Sequence, residues 1–126
     1  MSDLERIKTW HESMFVKQEG DKWYEEGFYE TALQKYEESI KIDPTNEYAL
    51  ANIGLIQLRY NNDDQCLEFT NKALEWIEGF MNDTRSFASD NKFEVKLLLR
   101  RASCLDKSGD VEKAKADLDQ CAWLEP

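Results

Sequence analysis

The sequence predicts an all-α protein made of consecutive helix pairs, and three observations carry that prediction. Residues that favour helices are abundant, whereas the 126-residue chain holds only two prolines and five glycines. Small residues and turn residues recur at a spacing of 34 positions, which is typical of stacked helix pairs. The hydrophobic fraction of 41% is enough for one core, so we expect a single domain over residues 1–126.

The first helix is predicted to begin close to the amino terminus. Ser2 followed by Glu5 is the pattern of a capping box, in which side chain and backbone bond reciprocally at a helix start. Apolar residues then follow at helical spacing: Leu4, Ile7, Trp10 and Met14. We expect this helix to start about three turns before the repeated pattern, to run to about Gly27 and to pack its apolar stripe on the domain.

The repeated pattern is clearest in the first unit, over residues 13–46. Its signature positions are Gly20, Trp23, Gly27, Tyr29, Ala32, Tyr36, Ser39 and Pro44. Small residues allow two antiparallel helices to approach closely, and a glycine suits a turn with positive φ. The proline ends the second helix of the unit.

Two further units follow, at about 47–80 and 95–126. The small and turn positions of the second unit hold Gly54, Asn61 and Cys66, and those of the third hold Ala102, Gly109 and Ala114. Pro126 closes the third unit, whereas the second lacks both the aromatic residues and the proline. The 14 extra residues before the third unit, about 81–94, are predicted to lengthen the flanking helices around a loop within Asn82–Asn91.

This pattern of small, aromatic, turn and proline positions resembles the tetratricopeptide repeat (TPR). The resemblance covers most of the chain and implies a three-repeat helix-turn-helix solenoid. In such a stack the first helix of each pair lines the concave side, where binding residues are expected. An unrelated helical bundle would have to explain why the small, turn and proline positions recur together.

Composition excludes several classes of function. Sixteen basic and 26 acidic residues give a net charge of −10, which argues against nucleic acid and anionic membranes. No apolar run has membrane-spanning length, and the first twenty residues lack a signal peptide's apolar segment, so we expect a cytoplasmic protein. The three cysteines, Cys66, Cys104 and Cys121, are odd in number without a CxxC spacing, which favours reduced thiols in the core.

Enzyme activity is not expected. His11 is the single histidine, so neither a histidine-based catalytic triad nor a metal site with several histidines can be assembled. Adjacent carboxylates point in different directions on a helix, and the sequence contains no glycine-rich phosphate loop. The sequence therefore predicts no cofactor and no metal.

Polar residues are instead expected to converge from the first helices of the three units. Spacings of four or seven place the two members of each pair on one helix face: Lys17 with Asp21, Asn52 with Arg59, and Lys96 with Arg100. Ammonium and guanidinium donors suit carboxylates, and the anionic surroundings would reject indiscriminate polyanions. The set therefore indicates a site for an acidic peptide, although casual pairs on a solvated face are the simpler alternative. Arg101 faces elsewhere and is assigned a structural role.

The set also resembles the two-carboxylate clamp of co-chaperone TPR domains. Those domains hold the acidic C-terminal peptide of the seventy- and ninety-kilodalton heat-shock chaperones. The resemblance assigns clamp roles to Lys17, Asn52, Lys96 and Arg100. It also makes Tyr24, Leu55, Arg59 and Asp21 candidates for additional peptide contacts.

Asp21 departs from that clamp. The family has an asparagine at this position, whose amide can donate to the terminal carboxylate, whereas an ionised aspartate is only an acceptor and repels it. The clamp is then weakened or retuned. Asp21 could instead pair with Lys17 or Lys96, or accept a proton or a hydrogen bond from a different ligand.

The carboxyl-terminal end is predicted to leave apolar surface uncovered. Leu118, Cys121, Trp123 and Leu124 lie in the last predicted helix, with no further helix to cover them. Either a longer chain was trimmed, or the face meets a partner or a second copy, as in a weak homodimer.

The sequence therefore predicts a protein–protein interaction adaptor that binds a chaperone tail. One alternative is a TPR scaffold segment of a larger assembly that binds a different partner and does not use the clamp for chaperones. Another is homo-oligomerisation through the extended first helix or the uncovered end.

Overall fold

The computed structural model of the protein describes residues 2–80 and 91–124. Six α-helices lie within these ranges: α1 (Asp3–Glu25), α2 (Tyr29–Ile42), α3 (Glu47–Arg59), α4 (Asp63–Phe80), α5 (Asn91–Lys107) and α6 (Val111–Leu124). Each odd-numbered helix packs chiefly on the helix that follows it, and α2 with α3 and α4 with α5 join the three pairs. The described residues contain no strand, so the predicted all-α class is confirmed.

Helix starts and turns follow the local chemistry that the sequence predicts. The hydroxyl of Ser2 accepts from the backbone N–H of Glu5 and the Glu5 carboxylate accepts from that of Ser2, which confirms the capping box. The three predicted turn residues have positive φ: 87° at Gly27, 62° at Asn61 and 90° at Gly109. Left-handed backbone favours glycine and tolerates asparagine, so the turn chemistry agrees with the fold.

The small residues set the helix spacing. A Cβ placed on Gly20 would lie 2.8 Å from Cε1 of Tyr36, and one on Gly54 would lie 2.9 Å from Oγ1 of Thr70. Both distances are shorter than any ordinary carbon contact. The absence of a side chain at Gly20 therefore allows the Tyr36 ring of α2 to lie directly against the backbone of α1.

The core lies between the helix pairs and includes all three cysteines as buried thiols outside any disulfide. This confirms their predicted place. Sγ of Cys104 lies 2.8 Å from Sγ of Cys66, which joins α5 to α4 in the interior. Burial, and then the contact with Cys66, raise the pKa of the Cys104 thiol to about 12. The thiol is therefore protonated and behaves as a small apolar group.

The first turns of α1 differ from the prediction. Leu4 is 62% exposed and Ile7 is 54% exposed, so the expectation that this apolar stripe packs on the domain is wrong for both. The reason is the length of the neighbouring helix. Ser13 bonds to Ser39, three residues before α2 ends at Ile42, so the first turns of α1 extend beyond the end of α2.

The helices on either side of the predicted insertion are longer than α2 and α3. α4 has 18 residues and α5 has 17, compared with 14 in α2 and 13 in α3. The bounds of the insertion and of the repeats stay predictions. The predicted loop falls almost wholly on residues 81–90, which lie outside the described residues, as does Pro126.

Two observations bear on the excluded functions. None of the helices in the described ranges is both long and apolar enough to cross a membrane. Across the same residues, no group of three histidine, cysteine or acidic side chains is placed to hold a metal ion.

Candidate functional site

One surface connects the first helices of the three pairs. The ring centroids of Trp10 on α1 and Tyr48 on α3 are 6.2 Å apart, and those of Tyr48 and Phe93 on α5 are 4.8 Å apart. These aromatic contacts run across all three helices. We call this surface the first-helix face; its polar members are Lys17, Asp21, Asn52 and Lys96.

Asp21 lies at the centre of a hydrogen-bonded network on this face. Nζ of Lys17 lies 2.7 Å from its Oδ2. The Tyr36 hydroxyl donates to Oδ1 over 2.6 Å, and Nδ2 of Asn52 donates to the same oxygen over 3.3 Å. Of the two lysines proposed as partners, Asp21 therefore pairs with Lys17. Three groups from α1, α2 and α3 converge on one carboxylate.

Burial holds this network in place. Tyr36 is 1% exposed, and its burial, followed by its hydrogen bond to Asp21, raises the pKa of the phenol far above its usual value. The hydroxyl therefore stays protonated and remains a donor. The Lys17 side chain is 16% exposed and that of Asp21 is 34% exposed, so the ion pair still meets water from one side.

Arg59 forms a second group at the carboxyl-terminal end of α3. Its Nε donates to the Tyr24 hydroxyl over 2.7 Å. The guanidinium carbon lies 5.3 Å from the ring centroid of Tyr24 and 4.9 Å from that of Tyr29, which is cation–π distance for both. Two of the predicted contact residues, Tyr24 and Arg59, are thus brought together across α1 and α3. Leu55, which lies between Asn52 and Arg59 in the sequence of α3, is partly buried.

The two clamp candidates on α5 have different environments. Arg100 is only 8% exposed, and its Nη1 donates to the backbone carbonyl of Ala51 over 2.6 Å. Burial lowers the pKa of this guanidinium. Lys96, one helical turn earlier, is exposed. The buried arginine ties α5 to α3, and the lysine presents its charge to solvent.

The adjacent arginine, Arg101, has the structural role that the sequence assigns to it. Its Nε and Nη2 donate to the two carboxylate oxygens of Asp117 over 2.8 and 2.7 Å. Its Nη1 also donates to Oδ1 of Asn71 over 3.1 Å. The side chain therefore fastens α5 to both α6 and α4.

Sequence reasoning missed the part that Tyr36 takes in the site. It placed Tyr36 in the packing signature of the first helix pair, although its hydroxyl reaches Asp21. A signal was available, because the repeat pattern sets Tyr36 against Gly20, which precedes Asp21 in the chain. It also missed the stacking of Arg59 on the ring of Tyr29. Arg59 therefore contacts one ring from α1, that of Tyr24, and one from α2, that of Tyr29.

A second surface lies at the other end of the domain. A groove between α5 and α6 is flanked by Leu99, Val111 and Leu118, which are 48%, 60% and 49% exposed. Trp123 is 83% exposed beyond it. Cys121 is buried and Leu124 is partly buried, so the predicted uncovered surface involves Leu118 and Trp123 but not Cys121.

The comparisons with known proteins agree with this architecture. A TPR repeat model matches residues 20–60, and a tetratricopeptide repeat model matches residues 95–126. The chain is 30% identical over 125 residues to the mitochondrial import receptor subunit TOM70 of Mus musculus, which covers 99% of this chain and 18% of that protein. It is 29% identical over 97 residues to Hsp70-Hsp90 organizing protein 2 of Arabidopsis thaliana, which covers 77% of this chain and 16% of that protein. The chain thus spans less than a fifth of the length of these relatives.

Solved structures share the fold. The N-terminal domain of stress-induced protein-1 from C. elegans superposes with a TM-score of 0.75 at 21% identity, covering 93% of this chain and 87% of that one. The second TPR of Spaghetti (RPAP3), bound to the HSP90 peptide SRMEEVD, superposes with a TM-score of 0.77 at 20% identity, covering 98% and 100%. With family matches that together cover more than half of the residues, the chain belongs to the tetratricopeptide repeat family.

Proposed function

We propose that the chain is a protein–protein interaction adaptor that holds the acidic C-terminal peptide of a heat-shock chaperone on the first-helix face. One observation carries the proposal: Lys17 and Asn52, from different helix pairs, already converge on a carboxylate, that of Asp21. The first-helix face therefore carries donors that suit carboxylates, and because Asp21 engages these two, the peptide meets the donors on α5.

The α5 side supplies the second part of this site. Lys96 is exposed, and the Arg100 guanidinium has five N–H donors, of which the bond to Ala51 uses one. Tyr24, Leu55 and Arg59 would contact the rest of the peptide. The negative charge of the whole chain, −10, would reject other polyanions and so favour a short acidic segment.

The relatives support the same class of partner. Two of them are named Hsp70-Hsp90 organizing proteins, and one structure with this fold holds a peptide of HSP90. Binding of this kind requires no bond to be made or broken, so the proposed adaptor is not an enzyme and needs no cofactor. We also propose a cytoplasmic location, where such chaperones are met.

Isothermal titration calorimetry with the peptide SRMEEVD tests the proposal. We expect a dissociation constant below about 1 mM for the natural chain and at least about tenfold weaker binding for Lys96→Ala. Lys72→Ala is the matched control, because Lys72 is an exposed lysine on α4 that pairs with Glu68 and lies over the ring of Phe69. No binding at about 1 mM, or equal binding by Lys96→Ala, would contradict the proposal.

A second candidate function is favoured by the groove between α5 and α6. Its half-exposed leucines are unusual for a surface that stays in water, and they suit a scaffold segment that packs on another protein of a larger assembly. Binding that survives Lys96→Ala but is lost on Leu118→Ser would favour this candidate over the adaptor.

A further inference from the structure

Half of the proposed clamp is already occupied by the protein itself. Lys17 and Asn52 are the donors on α1 and α3 that a ligand carboxylate would need, and both point at Asp21. The aspartate therefore stands where a carboxylate of the ligand would stand. This contact deepens the proposed function, on which the following inference rests.

We infer that Asp21 is a built-in competitor for the ligand carboxylate, so that the site recognises acidic side chains without requiring the partner's free C-terminus. The ligand class is then an acidic segment, either inside a chain or at its end. Lys96 and Arg100 on α5 form a cationic anchor for the ligand carboxylate, whereas Lys17 and Asp21 on α1 form a neutral pair.

The number of anchors left for the ligand decides which peptides the site can distinguish. A terminal carboxylate and a side-chain carboxylate are the same chemical group, so one anchor cannot tell them apart. Discrimination needs two anchors at a fixed separation, which admit only a chain end that carries both groups. Because Asp21 engages the donors on α1 and α3, one anchor remains. A peptide that ends in a free carboxylate therefore binds no more tightly than an acidic segment without one.

Asp21 is also hard to displace. If it rotated away to release Lys17, the hydroxyl of Tyr36 would lose a 2.6 Å hydrogen bond while 1% exposed, and an unsatisfied buried hydroxyl is costly. If Asp21 stayed, a second carboxylate at Lys17 would come within a few ångströms of a like charge. Both routes disfavour a terminal carboxylate at this position.

The experiment compares SRMEEVD with a free C-terminal carboxylate and the same peptide with a C-terminal amide. Each is titrated into the natural chain, Asp21→Asn and Glu68→Gln. Asparagine keeps an acceptor for Tyr36 and frees Lys17. Glu68→Gln is the matched control, because it also removes one negative charge from an i,i+4 pair with lysine, that of Lys72 at 3.3 Å on α4. Thermal unfolding of each variant confirms that it is folded.

We expect the natural chain and Glu68→Gln to bind the two peptides with affinities that differ by less than about fivefold. Asp21→Asn should bind the free acid at least about tenfold more tightly than the natural chain does, with little change for the amide. A preference of the natural chain for the free acid of about fivefold or more would overturn the inference and leave the proposed function standing. So would a gain in Asp21→Asn that is equal for both peptides.

Failure of the proposed function has a different signature. If no protein binds either peptide at about 1 mM, both the function and the inference fall. If only Asp21→Asn binds, and only the free acid, the adaptor function of the natural chain is wrong while the competition by Asp21 is supported.

Discussion

On α1, Lys17 and Asp21 form an ion pair, and the buried Tyr36 donates a hydrogen bond to the aspartate. On α5, Lys96 is exposed and Arg100, one turn later, is buried. The first half of the first-helix face is closed, because Lys17, Asn52 and Tyr36 all direct their donors at Asp21. In the second half, on α5, Lys96 is exposed and the buried Arg100 donates to the Ala51 carbonyl. Asp21 thus turns the donors of Lys17 and Asn52, which would suit a ligand carboxylate, into contacts within the protein.

The largest effect is expected from the arginine next to the α5 anchor. Arg101→Ala leaves the carboxylate of Asp117, which is 5% exposed, without its two strongest donors. We expect a loss of about 3 kcal/mol in the free energy of unfolding, measured by urea denaturation. Peptide affinity of the folded fraction should be unchanged, which would separate the structural arginine from Arg100.

The control for this prediction is a double variant. Arg101→Leu combined with Asp117→Leu removes both charges, and it should recover most of the lost stability because no buried charge is left alone. A double variant as unstable as Arg101→Ala would show that packing, and not charge, is what Arg101 contributes.

The next effect concerns the buried hydroxyl of the closed half. Tyr36→Phe removes the donor to Oδ1 of Asp21 and should lower the free energy of unfolding by about 1–2 kcal/mol. The loss lies at the low end for a bond to a charged group because Asp21 keeps contact with water. Tyr60→Phe, at a tyrosine that is 42% exposed, should change stability by less than about 0.5 kcal/mol.

Peptide binding should separate the two halves directly. Lys96→Met should weaken binding of an acidic, amidated peptide about tenfold, or about 1.4 kcal/mol, in calorimetry. A double variant with Lys17→Met and Asp21→Asn removes both charges of the neutral pair and should change that affinity by less than about threefold. If the double variant is weakened as much as Lys96→Met, the closed half contributes to binding and the contrast between the halves is wrong.

The smallest effect is expected at the groove between α5 and α6. Leu118→Ser changes a side chain that is 49% exposed, so stability should shift by less than about 0.5 kcal/mol. Light scattering at two concentrations should report the same mass for this variant at both. If the natural chain instead gains mass with concentration and Leu118→Ser does not, the groove is where copies associate.

Much of the fold followed from the sequence because its signals are local. Turn residues with positive φ and the capping box at Ser2 act within one or two turns of chain, and Gly20 and Gly54 each meet the helix that follows next in the chain. The exposure of Leu4 could not be predicted in this way, since it depends on where α2 ends relative to α1. Helix periodicity shows that a stripe is apolar and does not show whether a neighbour covers it.

The candidate site was predictable as a set of residues but not as a set of contacts. Spacing placed Lys17 and Asp21 on one face, and the ion pair followed. The same rule placed Lys96 and Arg100 together without revealing that Arg100 is buried against the Ala51 carbonyl. That difference arises between helices, where side-chain lengths and interhelical distances decide the outcome.

Gly20 shows how the interior controls the chemistry of this surface. With a Cβ there, the Tyr36 ring would have to shift, because the two carbons would be 2.8 Å apart, and its hydroxyl would shift away from Asp21. A residue selected for helix spacing therefore also fixes the orientation of the acid one position later. Transfer of the proposed binding preference to another repeat protein would require Gly20, Asp21 and Tyr36 to be grafted together, as one transplantable unit.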